Sequence, residues 1–144
     1  MRIINKIKTP KGFLFFLWEL PQNLLGLMLI YITKAWYSVA WEDCYFTEKL
    51  KNAVSLGSFI LLPADYYNRV IVIRHERGHQ KQSRQLGFLY LLIIGIPSVI
   101  RNIWDKVAHK KWSSAKRDQW YYGGFPEKQA DILGGVKRTF IESE

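Results

Sequence analysis

Two of the chain's three histidines stand four residues apart, inside the polar run Arg74–Gln85, R-H-E-R-G-H-Q-K-Q-S-R-Q. Long straight side chains of this kind lose little freedom in a helix. A helix would place His75 and His79 one turn apart on one face, where both imidazoles can converge on one cation. The spacing therefore predicts a helix from about Tyr66 to Leu86, with Asp65 or Asn68 as its N-cap and Gly87 as its stop. The β-branched Val70, Val72 and Ile73 work against its first turns. The chain holds one cysteine, Cys44. That excludes an intrachain disulfide and a thiolate-rich zinc centre, so any metal must rest mainly on histidine and carboxylate.

The two apolar stretches constrain the rest. A basic start, MRIINKIKTPKG, precedes FLFFLWELPQNLLGLMLIYIT. Glu19, Pro21, Gln22 and Asn23 break that run into Phe13–Trp18 and Leu24–Ile32, each too short to span a bilayer as a helix. No small-residue cleavage site follows, so no cleavable signal peptide is expected. Three arrangements stay open: a span with a proline kink, a broken helix lying in the membrane interface, or a buried core hairpin. Gly87–Ile100, GFLYLLIIGIPSVI, is either a core helix ending before Pro97 or a membrane-dipping segment. Between the two stretches, Ser55–Leu62 reads as strand, with turns near Glu42–Asp43 and Lys49–Asn52. Arg101–Arg117 is basic and loop-like at its end. A last helix is expected from near Pro126 through E-K-Q-A-D-I-L, stopped by Gly134–Gly135. A chain of 144 residues suits a single domain over 1–144, with a basic, apolar segment 1–33 and a core 34–140.

Residues 75–79 carry the chemistry. In H-E-R-G-H, Glu76 projects beside the two imidazoles, where it can take a proton from a metal-bound water; this is the logic of HExxH zinc sites. A third ligand is needed. Glu127 opens E-K-Q-A-D, with Asp131 one helical turn later. Glu127 can bind the metal while Asp131 accepts a hydrogen bond from the second nitrogen of a ligand histidine and fixes its orientation. The alternative is a pair of ordinary acids at a helix N-terminus. Gly78 costs a helix about 1 kcal/mol relative to Ala; it would let another backbone segment approach the metal face. Arg77 is expected to face solvent.

HExxH followed by ExxxD resembles the gluzincin group of zinc metallopeptidases. The resemblance implies His75, His79 and Glu127 as Zn²⁺ ligands, Glu76 as general base and Asp131 as their outer partner. It implies an edge strand, placed here at Ser55–Leu62, that pairs with extended substrate; the competing reading is an ordinary core strand. The runs HERGHQKQSRQLGFLYLLIIGIPS and YYGGFPEKQADILGGV also resemble a small bacterial HExGH family that includes toxin-like C-terminal domains. That likeness covers a little under half of the chain and implies no substrate. The chain has no room for the full second lobe of a large gluzincin. The expected fold is α+β: a small zincin-like domain with a metal-binding helix packed on a short, mostly antiparallel sheet.

The expected function is a zinc-dependent hydrolase, a peptidase acting on peptide or protein substrates. Tyr121 and Tyr122, near Glu127 in sequence, are candidates to donate to the oxyanion, with Tyr122 preferred; the alternative is aromatic packing around the Gly-Gly turn. His109, in a basic stretch, is expected at the surface. Lys and Arg number 21 against 12 acids, a formal charge of +9. That balance favours an anionic partner such as a membrane surface. A membrane-associated, non-catalytic protein with a structural metal is therefore the competing reading. Nucleic-acid binding has only the charge behind it, with no motif.

Overall fold

A computed structural model describes residues 7–140. The first six residues of the basic start, and residues 141–144, lie outside the described residues.

Helix α1 (Pro10–Trp18) begins where Pro10 supplies a pre-set φ and the Thr9 hydroxyl accepts the Gly12 N–H at 3.1 Å. It meets α2 (Leu20–Thr33) at an angle of 88°. A four-stranded sheet follows: β1 (Trp36–Tyr37), β2 (Cys44–Thr47), β3 (Val54–Leu56) and β4 (Phe59–Pro63), in spatial order β1-β2-β4-β3. The central β2–β4 pair is parallel and the two outer pairs are antiparallel. The sheet is thus mixed, with two of its three pairings antiparallel. The expected single strand over Ser55–Leu62 is a hairpin instead. Gly57, at φ 61°, turns the chain, so β3 lies on the sheet edge and β4 inside.

β2 and β4 are buried along their whole length, as central strands covered on both faces must be. Alternate side chains feed two cores. Phe46, Ile60 and Leu62 pack with Ile73 beneath the helix α3 (Val70–Leu86). Tyr45, Phe59 and Leu61 pack on the other face with Phe16, Leu29 and Ile30 of α1 and α2.

Helix α3 carries the histidines and ends at Gly87, which takes a positive φ of 54°. Its start differs from expectation. Ala64–Tyr66 forms a 3₁₀ turn, Arg69 stands at the N-cap, and neither Asp65 nor Asn68 caps it. The β-branched run makes up the first turn of the helix all the same, with Ile73 wholly buried against the sheet.

Pro97 lies at the start of a helix, where one of the two readings had it follow one. A π-turn over Leu91–Gly95 runs without a break into α4 (Ile96–Ala108), with Pro97 in the first turn of α4. Of the stretch expected to be loop-like at the end of Arg101–Arg117, residues 109–113 form a turn, and helix α5 (Ser114–Tyr122), capped by the Ser113 hydroxyl, begins inside the remainder. Helix α6 (Glu127–Gly134) ends at Gly135 in the left-handed region, as expected.

The seat of α6 on α3 positions the site. A Cβ on Gly78 would lie 1.9 Å from the Ala130 carbonyl oxygen, and one on Gly134 would lie 2.1 Å from the Arg74 carbonyl oxygen. Two glycines, one from each helix, let the backbones touch. Arg77, beside this crossing, is half-buried and not fully solvent-facing.

Among the described residues, no single helix is long and apolar enough to cross a membrane. The bent α1–α2 pair has the length and composition only when taken together.

Candidate metal centre

The crossing of α3 and α6 brings four of the five motif side chains into direct contact. His75 Nε2 lies 3.0 Å from Glu127 Oε2, and His79 Nε2 lies 3.2 Å from the same oxygen. All three residues are buried, and their donor atoms lie within 4.8 Å of one another. In a tetrahedral zinc site with bonds near 2.0 Å, ligand atoms stand about 3.3 Å apart. The separations to Glu127 match that value. Two imidazoles and a carboxylate are a donor set that suits Zn²⁺. The buried His75-Glu76-x-x-His79…Glu127 arrangement is a divalent-metal site of the HExxH, gluzincin-like type.

Each histidine has its other nitrogen held. His75 Nδ1 donates to Asp131 Oδ1 at 2.7 Å, which leaves Nε2 for the metal. Arg138 forks onto the same carboxylate at 2.7 and 3.0 Å and sits over the Tyr122 ring. His79 Nδ1 donates to Gln82 Oε1 at 2.7 Å, and the Gln82 amide donates to the Pro126 carbonyl and to Gln129. Glu127 accepts from the Ser98 hydroxyl at 2.5 Å through its second oxygen. Gln82 and Ser98 were not anticipated from the sequence. Gln82 was within reach of it, three residues after His79 on the same helical face. Ser98 carries no such signal, because only the turn into α4 brings it to Glu127.

The electrostatics follow from burial and from these partners. Desolvation alone would lower the His75 pKa, but hydrogen bonds to Asp131 and Glu127 override it and push it up to about 9. His79 is raised on the same balance. Glu127, though buried, is held well below the usual carboxylate range by the two histidines. Glu76 is different: burial raises it, and the two histidines oppose that only in part. One carboxylate is thus kept charged to hold a cation while its neighbour is a better proton acceptor.

The histidines, Glu76 and Glu127 line one wall of a cavity of about 670 Å³. Asn52–Leu56, including all of the edge strand β3, form another wall; Tyr121, Tyr122 and Arg138 close a third side. The Tyr122 ring packs edge-on against His75 at 5.3 Å. Burial pushes its hydroxyl up to about 12, so it stays a neutral donor at physiological pH. Burial raises the Tyr121 hydroxyl as well.

His109 is not a surface residue. It is buried, stacked on Trp112 at 3.8 Å and edge-on to Trp120 at 4.5 Å, with Nδ1 toward Asp105 at 3.2 Å. It lies outside the metal cluster and fastens α4 to α5. The chain matches no protein-family model, no curated protein and no solved structure. The gluzincin-like assignment rests on the motif and on this geometry.

Proposed function

We propose that this chain is a zinc-dependent peptidase. The observation that carries the reading is the meeting of His75 Nε2, His79 Nε2 and one Glu127 oxygen at the wall of an open cavity, with Glu76 alongside. A structural zinc site is closed by four protein ligands, whereas a catalytic one keeps three and an open position. Three ligands facing a cavity fit the second pattern and disfavour a purely structural metal.

His75, His79 and Glu127 would hold the metal; Asp131 and Gln82 would fix the tautomer of each imidazole. When bound, a zinc ion at such a site supplies Lewis acidity, making water acidic and polarising a carbonyl. Glu76 accepts the proton of the attacking water on its carboxylate and passes it to the leaving nitrogen. The Tyr122 hydroxyl donates to the oxygen on which charge develops. β3, an edge strand lining the cavity, offers main-chain hydrogen bonds to an extended peptide. Recognition of this kind depends little on substrate side chains. Proximity to a membrane is favoured by the apolar bent pair α1–α2.

The purified chain is expected to carry about one zinc per molecule. Glu76→Gln should keep the metal and lose turnover on an unfolded protein substrate. Full hydrolysis by Glu76→Gln would remove the assigned base, and a metal-free protein with an intact fold would remove the reading altogether.

A further inference from the structure

The N-terminal helices are built with their polarity reversed. Gln22 and Asn23 of α2 are fully buried, while Leu14, Trp18, Leu24, Met28 and Ile32 are exposed. The buried amides are engaged. Gln22 donates to the Ser83 hydroxyl and the Gly87 carbonyl, and Asn23 bridges the Phe16 carbonyl and the Ser58 N–H. The exposed apolar side is therefore not a failed core, because the inward side is fastened by these polar bonds. Of the two amides' polar atoms, only Gln22 Oε1 has no hydrogen-bond partner among the described residues.

A second apolar surface adjoins the first. Trp18 packs edge-on against Phe88 at 5.7 Å and donates its indole N–H to the Arg84 carbonyl. From there Leu92, Ile96, Val99, Ile103, Trp104 and Val107 are exposed along the π-turn and α4. Water does not leave so large an apolar area uncovered on a stable soluble monomer. Both surfaces end in exposed cations: Lys8 and Lys11 precede Phe13, Lys34 follows Ile32, and Lys106, Lys110 and Lys111 end α4. Apolar segments bounded by lysine, on a chain of net charge +9, are complementary to an anionic lipid surface.

The catalytic cavity opens against this face. Leu25 of α2 and Ile96, Val99 and Ile100 of α4 are among its lining residues and also belong to the apolar surface. We propose that the α1–α2 elbow, the π-turn and α4 seat in the headgroup layer of an anionic bilayer, and that the cavity at their rim takes a membrane-proximal peptide segment of a membrane-anchored protein. The substrate class rests on the peptidase reading; the membrane face does not.

The test uses the full chain and vesicles of phosphatidylcholine with or without roughly one-third phosphatidylserine. The wild type should float with the anionic vesicles. The triple variant Leu14→Glu, Leu92→Glu, Trp104→Glu changes only exposed positions, and should stay in solution with its zinc content and helicity retained. A peptide anchored to the vesicle by an acyl chain should be cleaved at least about tenfold faster than the same peptide free, a ratio that falls toward one in the triple variant. Glu76→Gln should float as the wild type does. A wild type that stays in solution overturns the proposal. So does a wild-type dimer that ignores vesicles and that the triple variant splits, because a second copy would then cover the face. Equal rates on anchored and free peptide, with flotation intact, overturn the substrate class. Flotation without cleavage of either peptide upholds the membrane face and refutes the peptidase.

Discussion

Gly78→Ala separates two opposed physical effects by the sign of a single measurement. In a helix facing solvent, the change would stabilise the chain by about 1 kcal/mol. Here the new methyl would stand 1.9 Å from the Ala130 carbonyl oxygen, where real Cβ contacts stay beyond 3.0 Å, so α6 must back away by at least 1.1 Å. Forcing a methyl into a packed interior costs about 1–3 kcal/mol, with rigid backbone at the upper end. The net expectation is a loss of about 2 kcal/mol after the helix gain, which lowers Tm by about 4–8 °C for a chain of this size. The metal responds more strongly, because ligand distances tolerate only about ±0.2 Å and α6 carries both Glu127 and Asp131. Zinc affinity, read by competition with a chromophoric chelator, should fall by at least about 100-fold. A Gly78→Ala protein that melts higher and holds zinc like the wild type would show that α6 does not sit on α3 as described, and the ligand set would lose its third member.

Asp131→Asn should lower zinc affinity about 10- to 100-fold by weakening the hold on His75 Nδ1, and Gln82→Ala should act in the same direction through His79; chelator competition reads both, and unchanged affinity refutes the orienting role. In the metal-free protein the His75 pKa is raised from 6.5 to about 9, so its stabilising contribution is complete below pH 6.5 and lost as pH climbs through 9. Urea midpoints of the metal-free chain should fall across that window, and the zinc-loaded chain should lack this His75 component. Asp105→Asn removes the 2.6 Å ion pair with Arg117 and weakens the anchor of His109, and should lower the urea midpoint while leaving zinc content unchanged; an unchanged midpoint would refute the anchoring role. Tyr122→Phe should lower kcat with little change in zinc affinity; an unchanged kcat would make the ring a packing element only.

The site was legible because its determinants are local. The His75–His79 spacing and the Glu127–Asp131 spacing are each one helical turn, and Gly78 signals the close approach that joins the two helices. Features that depended on distant partners were not. Ser98 reaches Glu127 only through the π-turn, and the basic residues around His109 hid the two tryptophans that bury it. A proline after an apolar run marks an end and a beginning equally well, so a helix ending before Pro97 was one of two readings of Gly87–Ile100, and only the path of the chain decides. The hairpin within Ser55–Leu62 turns on Gly57, and a single Gly-Ser step inside so short a run does not by itself mark a turn.

The walls of the cavity bear on how such a site would choose what it cuts. Among the described residues, its apolar side is made by α2, the π-turn and α4. Among the described residues no further layer covers these elements, and their outer sides carry exposed leucine, isoleucine, valine and tryptophan. On the peptidase reading proposed above, β3 would meet main chain, which every extended peptide shares. Selectivity in side-chain pockets would then be slight, and the remaining source would be place. An apolar wall that a lipid surface completes would confine the reaction to segments held at that surface, and would leave the site poorly formed away from it. Detergent micelles carrying anionic headgroups should then raise kcat/KM on a short free peptide, and the Leu14→Glu, Leu92→Glu, Trp104→Glu variant should lose that increase. A rate on free peptide that is indifferent to micelles would mean that the wall is complete without lipid.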